Sequence, residues 1–306
     1  MSDISVAIVG LGTIARAQHL PAIAATTGVT LTAVASRNAR LDGVANFTEI
    51  DDLLASEDDV QAVSLCTPPQ GRFEQAMAVL RAGCHLMLEK PPGATLSELQ
   101  LLEAEAHARS LSIFATWHSR EAAAVDQARD WLAERTIHAT HIDWCEDVRK
   151  WHPGQEWIWQ PGGLGVFDPG INALSILTKV LPAAVRLTGA DLHIPENRQT
   201  PIAAELTMDA GHPVTARLDW GQQGADLWQI RFETDAGVAM LDQGGARFTV
   251  DGETVAQGEN AEYARLYARF RDLIAAGDSD LDLSPLRLVA DAFLTGRHHV
   301  APAFQD

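Results

Sequence analysis

Ile4-Ser5-Val6-Ala7-Ile8-Val9, followed without a break by Gly10-Leu11-Gly12-Thr13-Ile14-Ala15, is the stretch on which the fold turns. Its first half is a short, largely apolar and β-branched run, the pattern of a strand buried in a parallel sheet. Its second half has the form G-x-G-x-x-A, and a helix-compatible stretch follows. Between strand and helix this is a dinucleotide fingerprint. Gly10 permits the tight turn, Gly12 lets backbone approach a pyrophosphate, and Ala15 lets the helix sit close to the sheet. The helix start at Thr13 and Ile14 then offers N–H groups to the phosphates.

Reading outward, Leu31-Thr32-Ala33-Val34-Ala35 forms a second strand ending at Ser36-Arg37-Asn38. An enzyme selective for NAD usually carries an acidic residue there for the ribose hydroxyls. No acidic residue occurs here until Asp42. The planar fork of Arg37 suits a 2′-phosphate, and Ser36 and Asn38 add donors, so NADP is the expected cofactor, with NAD tolerated. A solvated loop arginine is the plain alternative. Ala62-Val63-Ser64-Leu65-Cys66 is a further buried strand, and Thr67-Pro68-Pro69 stops it. The prolines hold an extended turn, which places Cys66, Thr67 and Pro68 at the cofactor edge. A helix is predicted from about Arg72 to Arg81, with Gly83 as its left-handed cap. After His85-Leu86-Met87-Leu88-Glu89-Lys90, the capping box Thr95-Leu96-Ser97-Glu98 opens a helix to about Arg109. Such alternation predicts a doubly wound parallel sheet, whose ligands bind at the carboxyl ends of the strands, where Glu89 and Lys90 lie.

The chain has 306 residues, enough for about two domains. We expect a dinucleotide-binding domain over 1–118 and a second domain over 119–306, with the last helices packing back on the first. Hydrophobic residues make up 46%, ample for buried cores. No apolar run approaches the roughly 20 residues a bilayer span needs. The N-terminus lacks a basic n-region, so no signal peptide is expected. Cys66, Cys84 and Cys145 are odd in number and widely spaced, as in a reduced, cytoplasmic protein. A formal charge of −18 argues against nucleic acid and anionic membranes as partners.

Four runs carry a resemblance that the glycine fingerprint alone would not. They are Glu89-Lys90-Pro91-Pro92-Gly93-Ala94-Thr95, Thr116-Trp117-His118-Ser119-Arg120, the run Trp151-His152-Pro153-Gly154-Gln155-Glu156-Trp157-Ile158-Trp159, and Phe167-Asp168-Pro169-Gly170-Ile171-Asn172. With the first-strand fingerprint and the Thr-Pro-Pro turn, they resemble the glucose-fructose oxidoreductase/inositol dehydrogenase (Gfo/Idh/MocA) family over nearly the whole chain. Within it they are most similar to the bacterial branch that oxidises L-arabinose and D-galactose at C1. The resemblance implies an α/β protein: a Rossmann domain followed by an α+β domain with a large, mostly antiparallel sheet. It implies that Lys90 is catalytic, touching both the nicotinamide ribose and the substrate hydroxyl. The proline after Lys90 restricts its backbone and so positions the amine.

The second half is read beside that resemblance. A strand at about Ser112 to Thr116 leads to Trp117-His118, which closes the first domain. A helix is expected from about Glu121 to Ala133, and a strand over Thr136 to Trp144 leads to Glu146. The Trp/Gly/Pro-rich stretch from Trp151 to Gly165 reads as a long binding loop. Aromatic rings cover the apolar face of a pyranose while carboxylates, imidazoles and amides bond its hydroxyls. Asp168 and Asn172 are four apart on one helix face. In the inositol branch the residue corresponding to Asn172 is typically histidine, the proton acceptor. An amide has no such capacity, so Lys90 takes the proton, with Asp168 as its charge partner or relay and Asn172 orienting the C1 hydroxyl. His118, Glu146, Trp151 and His152 complete the expected sugar contacts. His118 and His152 lack ligand spacing, and no metal is expected.

From about Val185 to Val250 short alternating strands predict the antiparallel sheet, with a homodimer through its outer face implied by the resemblance. Glu262 to Ala275 and Pro285 to Gly296 read as closing helices, and Arg297-His298-His299 as a solvated helix end. The expected reaction is oxidation of an aldopyranose to its lactone. Inositol or other sugar dehydrogenation, or a non-catalytic NADP-binding regulator of a sugar pathway, stand as rivals.

Overall fold

The computed structural model describes residues 3–56 and 59–305, and the chain divides into two compact units. Unit 1 comprises 1–118 and 261–282; unit 2 comprises 119–260 and 283–306. The chain therefore passes between units three times. The reason lies in the helix Glu262–Ala276, whose residues Tyr263, Leu266, Tyr267 and Phe270 are buried. That spacing is one helical stripe. It joins Val6, Ile8, Ile23, Val34, Met87 and Phe114 in the core of unit 1. The following helix, Ser284–Thr295, belongs to unit 2.

Unit 1 contains six strands: β1 (Ile4–Val9), β2 (Val29–Ala35), β3 (Ala45–Phe47), β4 (Ala62–Leu65), β5 (His85–Glu89) and β6 (Ile113–Thr116). They pair in parallel in the order β3-β2-β1-β4-β5-β6. The order reverses between β1 and β4, so the loops after these strands lie at the switch point where a doubly wound sheet takes its ligand. The central strands are buried on both faces, which is why they read as continuous apolar runs. After the fingerprint the chain is a π-helical turn over Ala15–His19 and then α-helix over Leu20–Ala25. The helix Arg72–Arg81 and the helix Leu96–Ala108, with its Thr95–Glu98 capping box, form where the sequence places them.

Unit 2 is built on a nine-stranded mixed sheet. Its strands are β7 (Ile137–Cys145), β8 (Arg186–Pro195), β9 (Ala203–Asp209), β10 (Pro213–Asp219), β11 (Leu227–Thr234), β12 (Gly237–Asp242), β13 (Arg247–Val250), β14 (Glu253–Gln257) and β15 (Arg297–Ala301). They run in the order β14-β13-β12-β11-β7-β10-β9-β8-β15. Pairing is antiparallel except for β7 with β10 and β8 with β15. The helix Phe167–Val180 packs against β7 and β11 and is buried along most of its length. A Cβ at Gly170 would stand 2.7 Å from the Leu218 side chain of β10, so glycine lets the helix seat closely. The opposite face of the sheet is polar. There Arg217 donates to Asp143 at 2.8 Å and Arg231 to Glu233 at 2.5 Å.

Three local expectations differ. The helix expected over 121–133 is only Val125–Leu132, preceded by a 3₁₀ turn over His118–Glu121. The stretch from Trp151 to Gly165 is not plain loop, since helical turns occupy Val148–Trp151 and Glu156–Trp159. Arg297-His298-His299 is not a helix end. It begins edge strand β15, where Arg297 and His299 bond Asp191 at 2.7 and 2.6 Å. Parallel pairing with β8 satisfies backbone groups that a frayed helix end would leave to water. Among the described residues no helix is long and apolar enough to cross a membrane.

Candidate active site

In unit 1 the residues expected to hold a cofactor gather at the strand ends. Gly10 has φ +92°, and a Cβ there would lie 3.0 Å from the Cys66 carbonyl carbon and the Thr67 nitrogen. Glycine is thus required both for the turn and for the close approach of the loops after β1 and β4. An ideal Cβ at Gly12, by contrast, meets no heavy atom within 4 Å. Packing does not demand that glycine, and its bare backbone fits the approach of a pyrophosphate. Thr13 is exposed and Ile14 is 40% exposed at the start of the helical segment. Beyond β2, Arg37 and Asn38 are exposed and Ser36 is half-buried. Among the described residues no hydrogen bond or ion pair engages the Arg37 guanidinium. The turn after β4 is fixed by the Thr67 hydroxyl, which donates to Gln75 Oε1 at 2.7 Å. Pro68 is exposed beside it. This set fits a dinucleotide.

Glu89, expected as a cofactor contact, lies at the end of β5. Its carboxylate is turned inward, 4% exposed. It accepts from the Tyr263 hydroxyl at 2.5 Å and lies 3.4 Å from His19 Nε2. His19 is fully buried, and its Nδ1 lies 2.8 Å from the Tyr267 hydroxyl. Burial would raise the Glu89 carboxyl, but hydrogen bonding and charge from His19, with help from His118 and Tyr263, outweigh it and hold the pKa at about 2. Burial likewise opposes charge on His19, yet Cys66 and Glu89 carry its pKa well above the ordinary range. The result is a buried ion pair whose carboxylate belongs to the residue preceding Lys90. Lys90 itself is half-buried, next to a cis peptide bond with Pro91. His118 lies in the same unit, its Nδ1 2.5 Å from Glu262 and its ring stacked 5.5 Å from Tyr263.

In unit 2 the expected sugar residues form a connected cluster. Asp168, on the first turn of the helix Phe167–Val180, is 3% exposed. Its Oδ2 lies 3.4 Å from His152 Nε2. Asn172 follows one turn later, half-buried. The His152 ring packs edge-on against Trp220 at 5.1 Å. Glu146 is buried, and its two oxygens accept indole N–H groups, from Trp220 at 3.2 Å and Trp228 at 2.8 Å. Trp151, 43% exposed, stands 5.5 Å from Trp228. The carboxylate expected to bond a sugar thus also fixes two rings. An open depression of about 420 Å³ beside Trp228 is lined by Asp226, Leu227, Gln229, Asp242 and Gln243. Lys150 pairs with Asp226 and Arg247 with Asp242 there, which leaves it little to offer a ligand. Among the described residues no group of histidine, cysteine or acidic side chains is placed to hold a metal.

Sequence reasoning passed over Arg72, His19, Tyr263, Tyr267, Glu262, Trp220 and Trp228. Apart from Arg72, whose partners lie 5 to 19 residues away, each acts through a partner far off in the chain, as Tyr263 does through Glu89 and Trp228 through Glu146. No local spacing announces such pairs.

Comparison with known proteins adds four findings. Residues 4–116 match the Gfo/Idh/MocA family, described as an oxidoreductase family with an NAD-binding Rossmann fold. A galactose 1-dehydrogenase from Pseudomonas fluorescens is 45% identical over 309 residues, covering 100% of both chains. The crystal structure of a D-galactose-1-dehydrogenase protein from Rhizobium etli superposes with a TM-score of 0.96 at 52% identity, covering 100% of this chain and 99% of that one. The 3-ketoreductase KijD10 from Actinomadura kijaniata, solved with NADP and TDP-benzene, shares the fold, with a TM-score of 0.85 at 22% identity over 98% of this chain and 100% of that one.

Proposed function

The chain belongs to the Gfo/Idh/MocA family of oxidoreductases, and on that premise we propose that it is an aldose 1-dehydrogenase acting on pyranoses of the D-galactose and L-arabinose type. The observation that carries this reading is the extent of its likeness to galactose 1-dehydrogenase. It runs the full length of both chains, so Lys90, Asp168 and Asn172 all fall within it. NADP is the preferred cofactor, supported by the exposed Arg37 and by the lack of an acidic residue at the end of β2.

Residues 10–14, 36–38 and 66–68 would hold the dinucleotide. When bound, its nicotinamide supplies the acceptor for the hydride that leaves C1. The residues of the chain handle the proton and the sugar. As C1 loses hydride its hydroxyl becomes acidic, and Lys90 Nζ accepts that proton; a positioned base of this kind contributes about 10²–10⁴-fold. Asn172 orients the C1 hydroxyl through its amide, which has no basic capacity. Asp168, held by His152, balances the positive charge that develops at the reacting carbon. Trp151 and His118 complete the sugar contacts, and Glu146 contributes by fixing Trp220 and Trp228. The lactone needs no further group, since water opens it.

The protein also forms a homodimer through the polar outer face of the unit 2 sheet in this reading; sedimentation equilibrium tests it, and a monomer at all concentrations would remove it. Activity is tested by reduced-nicotinamide absorbance with NADP⁺ and NAD⁺ against D-galactose, L-arabinose, D-fucose and inositols. Reduction with the aldoses supports the proposal. Reduction with inositol alone, or NADP binding with no turnover, would replace it with the inositol or regulator reading.

A further inference from the structure

The helix Arg72–Arg81 opens with a charged side chain that the mechanism above does not use. Arg72 is 3% exposed, and burial lowers its pKa to about 10, with Glu89 opposing, so it stays charged at neutral pH. A buried cation is ordinarily hydrogen-bonded to a carboxylate. This one donates to backbone carbonyls instead. Nε donates to Thr67 O at 3.0 Å, and Nη2 to the same oxygen. Nη1 donates to the carbonyls of both Glu89 and Pro91. Lys90 is the residue between those last two. The same helix holds Thr67 a second time through Gln75. The Glu89 side chain is anchored separately by Tyr263 and His19.

We propose that Arg72 is a positioning residue, whose guanidinium ties the Thr67-Pro68 turn to the Glu89-Lys90-Pro91 segment and so fixes where Lys90 delivers its amine. One rigid fork spans three carbonyls from two loops, which a flexible point donor such as lysine does not reproduce. The side chain of Lys90 is long, and where it starts is set by its backbone. Both flanks of that backbone are clamped by the same cation. The inference rests on the reading of Lys90 as proton acceptor, and it predicts a defect in the chemical step, not in sugar affinity.

The test uses R72K and R72Q in the full chain, checked for native circular dichroism. Lysine occurs only at Lys90, Lys150 and Lys179, so acetylation of each amine can be followed by mass spectrometry with Lys150 as internal reference. We expect R72K to lower kcat with galactose by about 10²-fold, the cost of an ångström-scale misplacement, with the sugar KM little changed. Labelling of Lys90 relative to Lys150 should change while that of Lys179 does not. Wild-type kcat and wild-type Lys90 labelling, with only a lowered Tm, would reduce Arg72 to a structural brace and overturn the inference. If R72Q fails to fold, R72K carries the test, since it keeps a cation and loses only the fork. If the wild-type enzyme turns over no aldose, the functional reading fails by itself. Lys90 labelling then still decides: a changed ratio in R72K supports the clamp and an unchanged one refutes it.

Discussion

Asp168 and His152 meet at 3.4 Å between Oδ2 and Nε2, with the Asp168 side chain 4% exposed. A carboxylate so buried has few conformations, and the imidazole is itself held edge-on by Trp220. Replacing Asp168 by asparagine keeps the shape and removes the charge. D168N should therefore retain its fold and lose about 10²–10³-fold in kcat, the range for removing one group that stabilises developing charge. Steady-state kinetics beside a thermal melt would check it, and wild-type kcat would remove Asp168 from the chemistry.

Lys90 separates the enzyme reading from the regulator reading. K90A should abolish turnover while NADP binding, followed by quenching of tryptophan fluorescence, stays near wild type. Retained turnover would end the proposed mechanism.

Arg37 tests the cofactor. A charge-assisted hydrogen bond contributes about 1.5–3 kcal/mol, so R37A should raise the KM for NADP⁺ by roughly 10–100-fold. The KM for NAD⁺, which lacks the 2′-phosphate, should hardly move. Equal effects on both would show that Arg37 does not read the phosphate.

Glu146 accepts two indole N–H groups with its two oxygens. Glutamine has one acceptor oxygen, so E146Q leaves one buried indole N–H facing an amide donor. We expect a loss of about 1–3 kcal/mol in stability and a raised KM for the sugar. Denaturant titration and kinetics measure the two effects separately.

The Glu89–His19 pair makes stability depend on pH, and the signs differ for the two partners. The Glu89 pKa is depressed from its ordinary 4.5 to about 2, so its contribution is complete above about 4.5 and lost as pH falls toward 2. At 1.36 kcal/mol per pH unit that shift corresponds to at most about 3 kcal/mol. The His19 pKa is raised above 6.5, so its contribution is complete below 6.5 and lost as pH rises through the higher folded value. The pair therefore stabilises most between about pH 4.5 and 6.5. Tm against pH should fall more steeply below pH 4.5 in the wild type than in E89Q; parallel curves would contradict the pair.

Much of this molecule follows from local sequence. Ile4 to Ala15 specify strand, turn and helix because a buried parallel strand needs an unbroken apolar run and the turn needs φ > 0 at Gly10. Thr95 and Glu98 state a helix start through their own reciprocal bonds. Asp168 and Asn172 share a helix face by spacing alone. These readings succeed because the interacting groups lie within one turn or one strand of each other. Other features depended on which distant segments meet. The inward turn of Glu89 depends on Tyr263, 174 residues away, and the binding of Trp228 by Glu146 spans 82. The stripe of the helix Glu262–Ala276 is legible as amphipathic, but only packing decides that it completes the core of unit 1. Arg297 to His299 became a strand because β8 offered an edge to pair with. A short sequence window carries backbone propensity and periodicity. The partner that satisfies a buried charge or an open strand edge is chosen by tertiary contact, and that choice alone made Arg72 a clamp on both sides of Lys90.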